Sequence, residues 1–195
     1  GIDKYLIGAA HAENIAVTGP GCVDGNGLVF YEGIELVSGR FSAKPEKRHR
    51  SLMFHRCTDL RIEDVALLDC PCWTVWLMQC ERVRVRGLRI TGDRRMLNND
   101  GIDIDACRDV AVSDCLIDTE DDCLVTRAIQ QVYDTPAICE NVVISNCVLK
   151  SACQGVRVGC PKDNIVRNVT FSNMTITESR NGITFDFPSR YARVD

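Results

Sequence analysis

Histidine is scarce in this chain of 195 residues, which has only His11, His49 and His55. Nothing in the sequence places these three together, so a three-histidine metal site is not expected. Long apolar runs are also missing, since no stretch approaches the roughly 20 consecutive apolar residues of a membrane-spanning helix. Positive charge is not in excess either, because the net charge is −4, which weighs against nucleic-acid binding. We therefore expect no nucleic-acid partner, no membrane association, and neither a metal nor another cofactor.

The two ends of the sequence lack the features of a complete exported protein. The chain starts Gly1-Ile2-Asp3, without the methionine, the basic segment or the apolar segment of a signal peptide. It stops at Arg193-Val194-Asp195 with no evident finishing element. Hydrophobic residues make up 45% of the chain and charged residues 26%, a globular composition long enough for one core. We expect residues 1–195 to be a single domain that is a fragment of a longer protein.

A repeated pattern of apolar residues organises the chain. Six segments align without gaps and begin at Ala12, Cys57, Cys80, Cys107, Cys139 and Val166. The third, fifth and tenth residues after each start are apolar, and from Cys57 onward the starts lie 23, 27, 32 and 27 residues apart. Alternation of apolar and polar residues indicates a strand with one buried face. A polar residue or glycine near the seventh place marks a turn, and a second short strand follows it.

Repeats of this length indicate a solenoid or a propeller. A propeller blade needs four strands in about 40 residues, which is more than these intervals hold. Helical repeats are excluded by the alternation, and leucine-rich repeats by the absence of a leucine–asparagine ladder. We therefore predict an all-β fold, a right-handed parallel β-helix with two or three short strands per coil, which lacks its end caps in this chain.

The repeat also accounts for the twelve cysteines. No pair has the CxxC spacing of a zinc site, and disulfide frameworks are typical of shorter secreted chains. Six cysteines instead fall at two equivalent positions of consecutive coils, where small thiols stack well in a narrow interior: Cys57, Cys80, Cys107 and Cys139, and then Cys115 and Cys147. Free thiols are therefore favoured over disulfides or a metal site, with Cys153 and Cys160, at coil edges, most open to the alternative.

Two acidic clusters provide the candidate chemistry, residues 98–105 (NNDGIDID) and residues 118–123 (DTEDDC). Asp100 and Asp121 are 21 residues apart, nearly one coil, so Asp100, Asp121 and Asp122 are predicted to meet on one face of the solenoid. Like charges held close together raise the pKa of at least one carboxyl. A protonated acid beside an ionised base is what glycoside hydrolysis needs.

The other aspartates of these clusters have a simpler interpretation. Aspartate is common at turns, so we expect Asp103, Asp105 and Asp118 to be solvated or to cap a bend.

The two clusters resemble motifs of glycoside hydrolase family 28, the polygalacturonase family. Residues 98–103 (NNDGID) are similar to the family's Asn-Thr-Asp-Gly-Ile-Asp, and residues 120–123 (EDDC) to its Gly-Asp-Asp-Cys. Residues 70–75 (CPCWTV) and 19–25 (GPGCVDG) resemble two more of its stretches, and the resemblance runs in family order from about residue 5 to residue 187. It implies a right-handed parallel β-helix and inverting hydrolysis, without a metal, of a pectin-like or related polysaccharide.

The resemblance also implies a role for each matched carboxylate. Asp121 would be the general acid, while Asp100 and Asp122 would hold the attacking water and remove its proton. Asn99, beside Asp100 in the same motif, is a further expected substrate contact.

Two features of the family are replaced in this sequence. Gln154 stands where the family has a histidine, and glutamine can hydrogen-bond a sugar hydroxyl but cannot carry a proton at neutral pH. Thr184 and Asp186 stand at the two basic places of the family's Arg-Ile-Lys motif, which binds the substrate carboxylate. An aspartate there would repel a uronate, which favours a pectic side chain over plain polygalacturonan as substrate.

Other side chains are candidates to complete the site. Arg127 and Arg157 follow the site-bearing turns and are predicted sugar or carboxylate contacts, the alternative being solvated arginines on the outer face. Trp73 and Trp76 favour packing over a sugar-stacking platform. The basic run at residues 44–50 favours a solvated loop over the border of a cleft for an acidic glycan.

Two other functions fit the same fold. A polysaccharide lyase or epimerase would need a base and a cation or arginine to stabilise an enolate, and the sequence has no clear calcium loop. A non-catalytic glycan-binding β-helix would explain the replaced histidine and basic motif. We favour the glycosidase, acting as a monomer on a polysaccharide or oligosaccharide in an extracellular or periplasmic location.

Overall fold

Three parallel sheets wind around a common interior and form a right-handed parallel β-helix. The structure is a computed structural model, and it describes residues 4–130 and 133–187. The first sheet has seven strands: β1 (Tyr5–Ala10), β6 (Arg50–His55), β9 (Val75–Met78), β12 (Ile102–Asp105), β15 (Leu124–Arg127), β18 (Gln154–Val158) and β21 (Asn181–Phe185). The second has six: β2 (Glu13–Thr18), β7 (Thr58–Glu63), β10 (Glu81–Arg86), β13 (Arg108–Ser113), β16 (Ile138–Ser145) and β19 (Ile165–Ser172).

The third sheet also has six strands, each three or four residues long: β3 (Cys22–Asp24), β8 (Ala66–Leu68), β11 (Arg89–Thr91), β14 (Leu116–Thr119), β17 (Val148–Ser151) and β20 (Thr175–Thr177). Each coil contributes one strand to each sheet, so a coil has three strands. The six aligned sequence segments form the strands of the second and third sheets, as predicted.

The strand register stacks equivalent repeat positions on one another. Val83 of β10 pairs with Leu60 of β7 on one side and with Val110 of β13 on the other. All three side chains are buried in the core. Since a single coil cannot bury its apolar face, the neighbouring coils supply the core.

The predicted turn between the second and third sheets adopts a left-handed backbone in five successive coils. These residues have φ between 50° and 65°: Asp64, Gly87, Asp114, Asn146 and Asn173. Asparagine and aspartate tolerate this conformation better than other non-glycine residues. The side-chain amide of Asn146 also donates a hydrogen bond to Asp114 Oδ1 at 3.2 Å, so the turns are linked along the solenoid.

All twelve cysteines are free thiols, which confirms the prediction, including Cys153 and Cys160. Cys57, Cys80 and Cys107 are fully buried at one position of consecutive coils. The backbone N–H of Cys80 donates to Cys107 Sγ at 3.3 Å. The thiols therefore stack inside the solenoid, as the repeat predicts.

The long interval between the first two segments holds an excursion from the solenoid. It contains a 3₁₀ turn (Gly27–Phe30) and an antiparallel hairpin of β4 (Tyr31–Ile34) and β5 (Phe41–Ala43). Arg48, near its end, donates to the carbonyl oxygen of Pro71 at 3.0 Å and to that of Leu97. The excursion is thus tied to the loop that carries the candidate catalytic residues. None of the helices in the described part of the chain is long and apolar enough to span a bilayer.

Candidate active site

The candidate catalytic residues lie on turns of neighbouring coils, where the third sheet passes to the first. Asp100 precedes β12, whereas Asp121 and Asp122 connect β14 to β15. The backbone N–H of Gly101 donates to the carbonyl oxygen of Asp122 at 2.9 Å, so the two turns are in contact. A Cβ at Gly101 would collide with the carbonyl oxygen of Cys123, which explains glycine at this position. The structure therefore brings the three aspartates together, as the coil spacing predicts.

Asp100 is buried close to other carboxyls. Its side chain is 5% exposed, and Oδ1 has no hydrogen-bond partner within the described residues. Burial raises its pKa well above the usual range, and the negative charges of Asp103, Asp121 and Asp122 raise it further. The buried environment of Asp100 therefore favours the protonated form of its carboxyl, which can donate a hydrogen bond.

Asp122 combines burial with a cationic neighbour. It is 2% exposed, and Arg157 Nη1 donates to its Oδ2 at 3.3 Å. Burial raises the pKa of Asp122 to about 6, the charge of Asp121 adds to this rise, and the charge of Arg157 opposes it. Asp122 is therefore ionised above about pH 6, the state that a general base requires.

Asp121 is the most accessible of the three aspartates, being only partly buried. Its Oδ2 accepts a hydrogen bond from Asn98 Nδ2 at 3.2 Å. Its carbonyl oxygen accepts from the hydroxyls of Thr119 at 2.8 Å and Ser151 at 2.7 Å. The turn is thus held from two sides while the carboxyl stays reachable, as a group that protonates a leaving oxygen must be.

Asn99 is buried and hydrogen-bonded within the protein. It is 1% exposed, its Oδ1 accepts from the backbone N–H of Glu120 at 2.6 Å, and its Nδ2 donates to the carbonyl oxygen of Asp93 at 3.1 Å. The amide is therefore occupied by the backbone of two turns. Its geometry fits the positioning of Asp121 rather than the predicted substrate contact.

Arg157 and Gln154 lie on β18, one coil beyond the aspartate pair. Arg157 is not a solvated arginine, because it bridges two carboxylates: Asp122 and also Asp186, to whose Oδ2 its Nη2 donates at 2.6 Å. Its register partner on β21 is Thr184, one of the two places where the resembled motif is basic. Gln154 is partly exposed, but its Oε1 is buried and has no hydrogen-bond partner within the described residues, so its contact with a sugar stays a prediction.

Arg127 is less accessible than a sugar contact would need to be. Its side chain is 15% exposed, with Nη2 3.7 Å from Asp163 Oδ1, and its guanidinium lies 5.2 Å from the ring centre of Trp73. The charges of Asp103, Asp163 and Asp105 surround it and raise its pKa, against the opposing effect of burial. Arg127 therefore balances a buried acidic cluster, which does not favour its predicted role as a substrate contact.

The expectation for Asp103 and Asp105 is wrong, since both are completely buried on the outer face of the first sheet. Neither carboxylate oxygen of Asp103 has a hydrogen-bond partner within the described residues, and burial raises its pKa well above the usual range. Asp105 accepts hydrogen bonds from Trp76 Nε1 at 3.3 Å and from the backbone N–H of Ile129 at 3.0 Å. Burial raises its pKa to about 6.

The two tryptophans pack rather than form an open platform. Trp76 is buried, lies edge-on to Trp73 with 4.9 Å between ring centres, and has the guanidinium of Arg50 4.6 Å above its ring. These contacts agree with the favoured packing interpretation.

The excursion supports the site, a role that the sequence did not reveal. Arg40 forms an ion pair with Glu120, the buried residue just before the aspartate pair. Arg48 donates to Asn98 Oδ1 at 3.1 Å, and Asn98 in turn contacts Asp121. The basic run at residues 44–50 is therefore not simply a solvated loop. No local sequence signal indicates these pairs, because the partners are many residues apart.

One group of side chains near the site has the spacing of metal ligands. Oxygens of Asp121 and Asp122 and the sulfur of Cys153 lie within 4.8 Å of one another. Burial and the charges of Asp122 and Asp121 raise the pKa of the Cys153 thiol to about 12.

Fold and site together define a class of protein: a parallel β-helix whose turns gather acid and base carboxyls, as in a polysaccharide-cleaving hydrolase. The family model described as glycosyl hydrolases family 28 matches residues 2–186, and the chain belongs to this family.

Several relatives share this similarity. The chain is 25% identical over 197 residues to a probable polygalacturonase of Arabidopsis thaliana, covering 89% of this chain and 41% of the relative. It is 31% identical over 116 residues to a polygalacturonase of Cryptomeria japonica, covering 59% of this chain and 23% of the relative. The chain thus spans less than half the length of these relatives.

A solved structure supports the fold. The exopolygalacturonase from Thermotoga maritima superposes with a TM-score of 0.64 at 23% identity, covering 76% of this chain and 34% of that one. At this identity the likeness shows the shared β-helix alone.

Proposed function

We propose that the protein is a glycosidase that cleaves a glycosidic bond of a pectin-like or related polysaccharide with inversion of configuration. The contact between the turns of Asp100 and Asp121–Asp122 carries this proposal, together with membership of the family. The site assembles one accessible carboxyl and two buried ones whose pKa values are raised. Hydrolysis by a general acid and a general base requires such a set of carboxyls.

The environments of the three carboxyls assign a task to each. Asp121, the accessible one, protonates the leaving glycosidic oxygen. Asp122, ionised above about pH 6, removes a proton from the attacking water. Asp100, whose pKa is raised by burial, orients the same water through a hydrogen bond. Because Asp122 and Asp100 are on adjoining turns, both can reach one water molecule on the face opposite the leaving group.

The charges around Arg157 point to the sugar that binds next to Asp122. Arg157 already contacts the carboxylates of Asp122 and Asp186, so its charge is balanced within the protein. A uronate at this place would meet the negative charge of Asp186. The site therefore favours a neutral sugar, or an esterified uronate, at this end of the cleft. We keep Gln154, which is partly exposed on the same strand as Arg157, as the proposed partner of a sugar hydroxyl.

A reducing-end assay on pectic and neutral glycans tests the proposal. The protein should release new reducing ends from at least one glycan, and Asp121→Asn should lower the rate by about 10²–10⁴-fold, the usual contribution of general acid catalysis. Asp118→Asn is the matched control, because this aspartate pairs with Arg94 outside the site and should leave the rate unchanged.

Three results would contradict the proposal. Equal rates for wild type and Asp121→Asn would remove Asp121 from the mechanism. Unsaturated products that absorb in the ultraviolet would indicate a lyase instead. Glycan binding without any release would indicate a non-catalytic binding domain.

The setting of the reaction forms part of the same proposal. We place the enzyme outside the cell or in the periplasm, because a large polysaccharide does not cross a membrane. We also propose that it acts as a monomer, since one chain supplies all the carboxyls named above.

A further inference from the structure

A groove of about 540 Å³ lies on the outer face of the second sheet, away from the turns that carry the catalytic aspartates. It crosses strands β2, β7, β10 and β13, so it runs along the axis of the solenoid. Arg61, Arg82 and Arg84 line it, and the proposed function makes no use of them.

Two of these arginines are exposed and have no counter-ion within the described residues. Arg61 on β7 and Arg84 on β10 are register partners, so they stand side by side on adjacent strands. Arg82 differs, since its Nε and Nη2 donate to the two carboxylate oxygens of Asp59 at 2.8 and 2.9 Å. Like charges directly opposite each other destabilise a sheet. The pair therefore carries a cost that a bound anion would remove.

Small side chains leave the arginine pair open on both sides. Ala16 of β2 is the register partner of Arg61, and Ala111 of β13 is the register partner of Arg84. Neighbouring strands are about 4.8 Å apart, which is close to the length of one hexose unit in an extended glycan. A chain lying along the solenoid axis would present about one sugar to each arginine.

The other charged residues of the groove do not cancel the positive charge of Arg61 and Arg84. Asp59 is balanced by Arg82, and Asp109, at the far wall, accepts a hydrogen bond from Asn141 Nδ2 at 2.8 Å. Guanidinium groups match carboxylates with two parallel hydrogen bonds each. We propose that this groove is a second glycan-binding site, which holds two consecutive uronate units of an acidic polysaccharide through Arg61 and Arg84.

The choice of a uronate chain rests on the proposed function, whereas the cationic groove is a feature of the structure itself. Pectic polymers carry both uronate and neutral sugars, so the outer groove can hold an acidic stretch while the catalytic site acts on a neutral or esterified one. Binding at two places raises the effective concentration of the polymer at the cleft without altering the chemistry.

Titration with an unesterified hexamer of galacturonic acid tests the inference, with Asp121→Asn as background so that no ligand is cleaved. Replacing both arginines (Arg61→Ala with Arg84→Ala) should weaken binding at least about tenfold, since each arginine loses charge-assisted hydrogen bonds. Arg86→Ala with Arg89→Ala is the matched control, which removes the same charge from exposed positions outside the groove. This control should bind as tightly as the background protein.

Further arms separate the possible outcomes. A carboxyl-reduced hexamer should not bind to the groove, and added salt should weaken binding of the acidic one. Unchanged affinity in the Arg61/Arg84 variant, or an equal loss in the control, would overturn the inference. Matching thermal melts establish that both variants are folded. Hydrolysis by the protein without any of these arginine substitutions tests the proposed function separately. The binding groove and the glycosidase function can therefore fail independently of each other.

Discussion

Ionisable side chains such as Asp103 on the outer face of the first sheet are buried, whereas those such as Arg82 on the outer face of the second sheet are exposed. On the first sheet, Asp103 and Asp105 are fully buried, and burial raises the pKa of both. On the second sheet, Arg82 and Asp59 form their ion pair in the open, and the pKa of Asp59 is lowered by that contact. Strand alternation turns Asp103 and Asp105 outward between the core residues of β12, whereas Asp59 and Arg82 have left-handed backbones, with φ of 55° and 53°.

The difference arises from what covers each face. Side chains such as Trp73 and Arg127 pack over the first sheet, and the excursion braces the adjoining loops. A buried carboxyl without partners costs far more than an exposed one. Carboxyls with strongly shifted pKa values are concentrated at the functional sites of proteins. The comparison therefore supports the proposals that catalysis takes place beside the first sheet and that the groove on the second sheet binds glycan.

The same substitution on the two faces should give the largest contrast in stability. Asp105 has a pKa of about 6 when folded and about 3.9 when unfolded. The folded state therefore binds the extra proton, and stability is lost as pH rises from about 4 through 6. Asp105→Asn removes this loss, so the variant should gain about 2–3 kcal/mol relative to wild type between pH 4 and pH 7. Urea unfolding at the two pH values measures the gain.

Asp59→Asn provides the control on the exposed face. The folded pKa of Asp59 is lowered, so its stabilising effect is present at neutral pH and lost as pH falls. The change should be small and opposite in sign, because solvent screens the pair. A pH dependence of equal size and sign in both variants would contradict the contrast between the faces.

Replacement of Arg157, which lies beside the proposed base Asp122, should have a smaller effect. Arg157 holds the pKa of Asp122 below the value that burial and Asp121 alone would impose. Arg157→Met should therefore move the acidic limb of the kcat/KM profile to higher pH by about one unit. Arg157→Lys should restore part of the shift, and Arg167→Met, which loses only a surface pair with Glu140, should not move the limb. A limb that stays in place in Arg157→Met would exclude electrostatic control of Asp122 by this arginine.

The sequence was most informative where structure is periodic. Alternation at residues such as Val83 and Val85 predicted the strands, and the turn residues Asp64 and Asn146 predicted their ends. The 21-residue separation of Asp100 and Asp121 predicted that their turns meet, because the coil length sets that distance.

Predictions based on neighbours failed where distant segments decide the environment. Asp103 and Asp105 were expected in solvent or at a bend because aspartate is common at turns, and this tendency does not show what lies over a side chain. The substrate contacts predicted for Asn99 and Arg127 stay predictions, although both side chains already have partners within the protein. The pair of Arg40 and Glu120 joins residues 80 positions apart in sequence, so no local pattern could reveal it.

The anomeric configuration of the first-formed sugar tests the roles proposed for Asp122 and Asp121. If Asp122 activates water while Asp121 protonates the leaving oxygen, the released reducing end has the opposite anomeric configuration to the bond that was cleaved. Proton NMR during the first minutes of hydrolysis, before mutarotation, measures this. We expect a product with inverted anomeric configuration. A retained product would mean that a carboxylate attacks the sugar directly, and the assignment of Asp122 as the base would be wrong.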